Sequence, residues 1–272
     1  MMIGCRAHDY GSGTAAQMAE KLAAHGWEGG QIVVQKLIAG VGSLDNVKFA
    51  DCEEVYSEFS KRGLKTPLLG YYIQPQLTDK AARMEQVELF KKGLDNSLAL
   101  GGAYVATETG DFPVGGPMEE RRPLFENVVD SFLRFAEHAE KVGAKIAVEP
   151  AAHHTLGTIE LIAELFERVD SKTMHIVFDS VNMLVKKGMD DQAGYWGKML
   201  ESFGDKIVVC HIKDGAYDGD KFVECKLGDG KIDYSTLFNF LNAQERDIAI
   251  IREGTAPDRG IDEYQYLRSR IK

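Results

Sequence analysis

The chain has 272 residues, enough for one large α/β barrel or two ordinary domains. With 44% hydrophobic and 27% charged residues it has ample material for a core and the composition of a soluble globular protein. A net charge of -10 without a basic stripe argues against nucleic acid as a partner. The lack of any apolar run near ~20 residues, or of a basic-then-apolar leader, argues against a membrane.

Residues 2–7 read as a short apolar strand running into His8, Asp9 and Tyr10 and a Gly-Ser-Gly turn. Thr14 with Gln17 three residues later is a capping-box signature, opening a helix that stops at Gly26. A second strand is expected over 30–34, then a loop over 37–46. Val55, Tyr56 and Phe59 carry a helix over 51–62, with Gly63 as its end signal. A third strand over 67–73 follows, then a helix from about Asp79 with Val87, Phe90 and Leu94 on its apolar face. Residues 103–106 form a fourth strand, which leads through Thr107 and Glu108 into a Gly/Pro-rich loop. A long helix over 122–142 closes at Gly143.

Four further strands are expected over 146–150, 175–179, 208–214 and 248–253. Helices fall between them at 158–170, 190–203 and 233–243, and a last helix at 261–270. The residues after 214 read as a glycine-rich loop. Strict strand–helix alternation implies parallel pairing with right-handed crossovers. Eight such units predict a single (β/α)8 TIM barrel over residues 1–272, as one domain. Four scattered cysteines with no CxxC pair fit buried reduced thiols and a cytoplasmic location.

Each of the last four strands stops on a side chain able to bind a metal: Glu149, Asp179, His211 and Glu253. Their spacings of 30, 32 and 42 residues each match about one strand–helix repeat. Parallel barrel strands present their C-terminal ends on one face, so the four converge. Three carboxylates at one point repel unless a cation sits among them. An oxygen-rich donor set with one imidazole suits one divalent ion, manganese first, with magnesium, cobalt or zinc as alternatives.

The segments AVEP, IVFDSVN, VVCHIKDG and IIREG, with KLGDGKIDY after the third, resemble the xylose isomerase-like sugar phosphate isomerase/epimerase superfamily. The resemblance is strongest over 145–255. It implies a metal-dependent isomerase or epimerase of a sugar, sugar phosphate or related polyol. In such enzymes a proton is removed beside a carbonyl through a metal-stabilised enediolate, and Glu149 and Glu253 would fill the two catalytic positions. The alternative on the same site is a lyase, either a keto-inositol dehydratase or an enzyme of β-elimination. The implied partner is a small carbohydrate, and a homo-oligomer is allowed. An abasic-site endonuclease, also in that superfamily, is disfavoured by seven histidines in all and by the acidic charge.

Several residues set this chain apart from the ketose epimerases it resembles. Asn182 stands where relatives often carry histidine, Lys221 and Lys226 stand in place of an arginine, and His153 and His154 follow Glu149 where an acidic residue is usual. These differences point away from ketose 3-epimerisation and toward another keto-sugar or polyol, or elimination. Asn182, His153, His154 and Lys221 are therefore candidate substrate-binding residues. His8 and Glu108, at the ends of the first and fourth strands, join them. No phosphate-binding glycine motif stands at a strand–helix junction.

Overall fold

In the computed structural model, which describes residues 1–272, eight parallel strands close into a barrel. In chain order the elements are β1 (Met2–Arg6), α1 (Ala15–Ala24), β2 (Gly29–Ile32), α2 (Val34–Leu37), α3 (Phe49–Ser60), β3 (Lys65–Gly70), α4 (Lys80–Ala99), β4 (Tyr104–Thr107) and α5 (Met118–Val142). They continue with β5 (Lys145–Val148), α6 (Ile159–Val169), β6 (Met174–Asp179), α7 (Ser180–Met183), α8 (Gln192–Phe203) and β7 (Ile207–Ile212). The last are β8 (Asp214–Asp218), β9 (Lys221–Cys225), α9 (Ser235–Asn242), β10 (Ala249–Arg252) and α10 (Gly260–Arg268). The barrel order is β1-β10-β7-β6-β5-β4-β3-β2, while β8 and β9 form a separate antiparallel hairpin. The expected TIM barrel is the observed fold. No helix is long and apolar enough to cross a membrane, and all four cysteines are free thiols.

Successive side chains of a strand point to opposite faces, and here that period of two sorts the core. Ile3 and Cys5, Ile146 and Val148, Ile176 and Phe178, Cys210 and Ile212, and Ile248 and Ile250 belong to the large core between strands and helices. Their alternates Met2, Leu68, Ala106, Ala147, Val177, Val209, Ala249 and Ile251 fill the lumen. Small side chains are needed where strands crowd. A Cβ on Gly29 would run into the Lys65 carbonyl and would lie 2.7 Å from Met2 Sδ, which occupies that space. The helices lay apolar stripes on the outer face of the barrel, as α5 does with Phe125, Phe132 and Phe135. The Thr14–Gln17 capping box opens α1 as expected.

Three local readings change. The strand expected over 30–34 ends at Ile32, because Val34–Leu37 turns into a helical turn (α2) that brings Gln35 and Lys36 to the barrel mouth. Helix α5 begins at Met118 rather than 122 and carries Pro123 near its start. Past the first turn, it removes one bond of the helical ladder, and its ring crowds the Glu119 carbonyl four residues before. The glycine-rich loop after residue 214 is in large part the β8–β9 hairpin, with Asp218 paired to Lys221 across a Gly219–Asp220 turn and Gly219 at φ 59°. Glycine followed by aspartate is a recognised two-residue hairpin connection.

The barrel seam is tied to α10 by a buried ion pair. Arg252 points outward from β10, and its Nη2 lies 2.8 Å from Glu263 Oε1, with both side chains fully buried. Glu263 also accepts hydrogen bonds from Thr255 Oγ1 (2.6 Å) and the Leu227 amide (3.1 Å). Glu263→Ala leaves a guanidinium buried without its partner and should cost about 3–5 kcal/mol in urea unfolding. A loss below about 1 kcal/mol would mean that the pair is not holding the seam.

Candidate functional site

The inward parity of each strand continues one step past the lumen core and reaches the mouth as a polar ring. Glu149 follows Ala147, Asp179 follows Val177, His211 follows Val209 and Glu253 follows Ile251. On the other half of the barrel the same rule delivers Arg6, Gln31, Tyr72 and Glu108. Facing one another, Glu149, Asp179, His211 and Glu253 bring donor atoms to within 4.8 Å of one another. His211 Nδ1 lies 3.3 Å from Glu149 Oε1, 3.3 Å from Glu253 Oε2 and 4.0 Å from Asp179 Oδ2.

These residues fit a divalent cation. Metal–ligand bonds of about 2.0–2.2 Å put donors around one ion roughly 3–4.4 Å apart, close to the spacing found here. The imidazole of His211 is 1% exposed, yet neither ring nitrogen has a hydrogen-bond partner. Buried polar atoms are rarely left so without a reason. Burial alone would keep the ring neutral, but Glu149 and Glu253 overcome it and pull its pKa up to about 10. The carboxylate field therefore favours positive charge at the point where a metal would sit.

The surrounding contacts hold each donor differently. Asp179 Oδ1 accepts the amides of Val181 (2.9 Å) and Asn182 (2.8 Å), capping α7. Its Oδ2 lies 2.9 Å from Lys213 Nζ, and burial raises the Asp179 carboxyl to about 6, with Glu253 and Glu149 working against Lys213. Glu149 accepts from Tyr72 Oη (3.3 Å) and Asn182 Nδ2 (3.3 Å), both neutral donors. Glu253 instead meets two further cations, Arg6 Nη1 at 2.9 Å and Lys213 Nζ at 3.5 Å. Although burial opposes it, the His211 contact and the Lys213 charge hold Glu253 well below the usual carboxylate range. Asp9 locks this corner, pairing with Arg6 Nε at 2.8 Å and accepting the Gly254 amide at 2.9 Å.

The structure distributes the remaining sequence candidates unevenly. His8 and Glu108 line a cavity of about 330 Å³ on the Arg6–Tyr72 side of the four donors. Burial, then Arg6 and Lys36, lowers His8 to about 4. Burial, then Glu149 and Glu253, raises Glu108 to about 8. Asn182 and His153 line a second cavity of about 940 Å³ on the Lys213 side. His154 turns away from both cavities and packs behind Glu108, its Nε2 3.4 Å from Asp111 Oδ1 and 4.0 Å from Glu108 Oε2. Lys221 is exposed on the outer face of the hairpin and lines neither cavity, because the strand period turns it away from the mouth.

Sequence reasoning passed over Arg6, Gln31, Gln35 and Lys36. For Gln31 a signal existed: it is a polar residue within an apolar run, and the structure buries it fully. Asp214, next to Lys213, anchors a loop. Its carboxylate accepts the amides of Gly215 (2.8 Å), Gly228 (2.9 Å), Gly230 (3.2 Å) and Ile232 (3.3 Å). That is the physical link between HIKD and GDGKID. A Cβ on Gly230 would collide with Asp214 Oδ1. Trp196, fully buried, donates to the Ser180 carbonyl (3.0 Å) and stacks on Tyr234, which hydrogen-bonds the Lys213 carbonyl.

Residues 19–270 match the family described as the xylose isomerase-like TIM barrel. The chain belongs to that family. Solved structures of similar shape include the 3-keto-D-glucoside 4-epimerase YcjR from E. coli, with 18% identity, 99% of each chain covered and a TM-score of 0.76. A D-tagatose 3-epimerase-like protein aligns at 18% identity over 99% of this chain and 97% of its own, with a TM-score of 0.79. D-psicose 3-epimerase from Clostridium cellulolyticum H10, solved with D-tagatose, aligns at 13% identity over the whole of both chains, with a TM-score of 0.77. At these identities the likeness to the solved structures is one of fold. No curated protein sequence matches significantly.

Asp214→Ala should lower stability by about 2–3 kcal/mol, since hydrogen bonds to a charged acceptor are lost and buried amides stay unpaired. Thermal unfolding measures it, and metal content in the same sample should be unchanged. A loss of metal without loss of stability would make Asp214 a residue that orients a metal-binding side chain rather than a loop anchor.

Proposed function

We propose that the protein is a divalent-metal-dependent isomerase or epimerase of a keto-sugar or related polyol. The single barrel is read as one catalytic domain, with Glu149, Asp179, His211 and Glu253 as ligands and manganese as the preferred ion. The observation that carries this reading is the buried, unpartnered imidazole ringed by three carboxylates. Membership of the xylose isomerase-like family and the sugar epimerases among proteins of the same fold support it.

A cation held there supplies Lewis acidity, making a C–H beside a substrate carbonyl easier to ionise. Glu149 and Glu253 reach that centre from strands three apart in the barrel order, β5 and β10 being separated by β6 and β7. Their different partners divide the labour. Apart from His211, Glu149 meets only the neutral donors Tyr72 and Asn182, so it is the better proton acceptor. Held by Arg6 and Lys213, Glu253 is a weaker base, suited to ligation and to returning a proton from the other side. Tyr72, whose phenol burial and Glu149 keep protonated, fixes the Glu149 carboxylate while Gln31 Nε2 donates to its oxygen at 2.6 Å. His8, Asn182 and Glu108 are placed to bind substrate hydroxyls.

A lyase is the second reading, and Glu108 favours it. It is the third carboxyl lining the inner cavity, beside Glu149 and Glu253. There it can serve a leaving hydroxyl, a role that Asn182 cannot fill.

Glu149→Gln should lower turnover by about 10²–10⁴-fold, the usual worth of a general base. Near wild-type turnover would remove Glu149 from the chemistry. His211→Ala should strip the bound ion on elemental analysis, and unchanged metal content would overturn its assignment as ligand. Turnover of keto-sugars in D₂O separates the two readings. Deuterium in a recovered stereoisomer marks epimerisation, and loss of water or of an aglycone marks elimination.

A further inference from the structure

The four-donor cluster stands at the junction of two cavities of different size and chemistry. The inner one, about 330 Å³, is almost wholly polar and includes Arg6, Gln31, Lys36 and Glu108. That volume is at the bottom of the ~300–1,000 Å³ range of small-molecule sites, and its hydrogen-bonding walls suit one sugar ring. The outer one, about 940 Å³, opens onto the same cluster through Lys213 and Asn182, which touch Asp179, Glu253 and Glu149.

The outer cavity is built by the β8–β9 hairpin. By the strand period its inner face carries Gly215, Tyr217, Phe222 and Glu224, while Ala216, Lys221 and Val223 face away. Tyr217 and Phe222 pair edge to face with ring centroids 5.5 Å apart, and Tyr217 Oη donates to the Leu184 carbonyl at 3.1 Å, fastening the hairpin to the segment after β6. Val181, Leu184 and Val114 add apolar wall, and Lys186, Lys187 and Asp190 stand at the rim. A free monosaccharide bound at the cluster would leave this larger, aromatic-lined space to water.

We infer that the outer cavity is the subsite for an aromatic aglycone, and that the substrate is a keto-sugar glycoside rather than a free sugar. The sugar ring occupies the inner cavity, with its carbonyl toward the four donors. Its anomeric substituent passes Lys213 and Asn182 to lie against Phe222. This rests on the keto-sugar reading above and narrows it to a substrate class.

The test uses the metal-loaded full chain and calorimetric binding of the 3-oxo forms of methyl and 4-nitrophenyl β-D-glucopyranoside. The aryl ligand should bind at least about tenfold tighter, as expected for an aromatic ring buried against another. Phe222→Ala should remove most of that advantage and leave the methyl ligand unchanged. Val114→Asp, which changes an exposed loop residue of the opposite wall, should do the same without burdening the fold. Equal affinity for the two ligands, or an equal effect of both variants on them, overturns the aglycone subsite and leaves the keto-sugar reading standing. Failure of both ligands to bind protein carrying one ion per chain overturns both.

Discussion

Mutual repulsion among Glu149, Asp179 and Glu253 is the constraint around which the mouth of this barrel is arranged. Three carboxylates and an imidazole converge within 4.8 Å, in a place where water cannot screen them well. Fixed positive charge answers part of that cost, with Lys213 against Asp179 and Glu253, and Arg6 against Glu253. The point between the carboxylates still attracts positive charge, as the raised affinity of His211 for a proton indicates. A divalent ion satisfies the same demand and gives a partner to His211 Nδ1, the ring nitrogen that faces the carboxylates.

The fold converts that cluster into a site with two sides. Strand parity places one polar residue from each barrel strand at the mouth, so the cluster occupies half of a ring. Arg6, Gln31, Tyr72 and Glu108 occupy the other half. The half-ring without ligands forms the wall of the small cavity, and the hairpin built on β7 forms the wall of the large one. Asp214 anchors that hairpin and the following loop through backbone amides, immediately beside Lys213. One short stretch, from His211 to Asp214, thus contributes a side chain able to bind a metal, a neutralising ammonium and a loop anchor.

Much of this was legible in the sequence, and the second half of the barrel was clearer than the first. Strands β6 and β7 are six residues long and almost wholly buried, so their apolar runs stand out and their last polar residues are conspicuous. Asp179 and His211 could be read from those runs, and Glu149 and Glu253 from the shorter apolar stretches that end β5 and β10. On the first half, β2 is only four residues and Tyr72 lies beyond the end of β3, so no long apolar run announced which side chains face the mouth. Arg6, at the end of five-residue β1, was passed over in favour of His8, although strand parity turns Arg6 inward. The hairpin went unread because glycines at 215, 219, 228 and 230 resemble plain loop punctuation. Yet Gly219 makes the tight turn, and Gly215 and Gly230 allow close approach of neighbouring atoms. His153 and His154 illustrate a limit of another kind. Adjacency on an extended segment would send the two rings apart, but this segment turns and they pack edge to face with centroids 4.4 Å apart. Only the packing of the loop leaves His153 in the cavity and His154 against Asp111.

The central claim is that one divalent ion sits between Glu149, Asp179, His211 and Glu253. Anomalous diffraction from crystals soaked in manganese tests it most directly. The account predicts a single strong peak per chain within bonding distance of all four side chains. A peak elsewhere on the barrel with this cluster left empty, or no peak under saturating manganese, would contradict it.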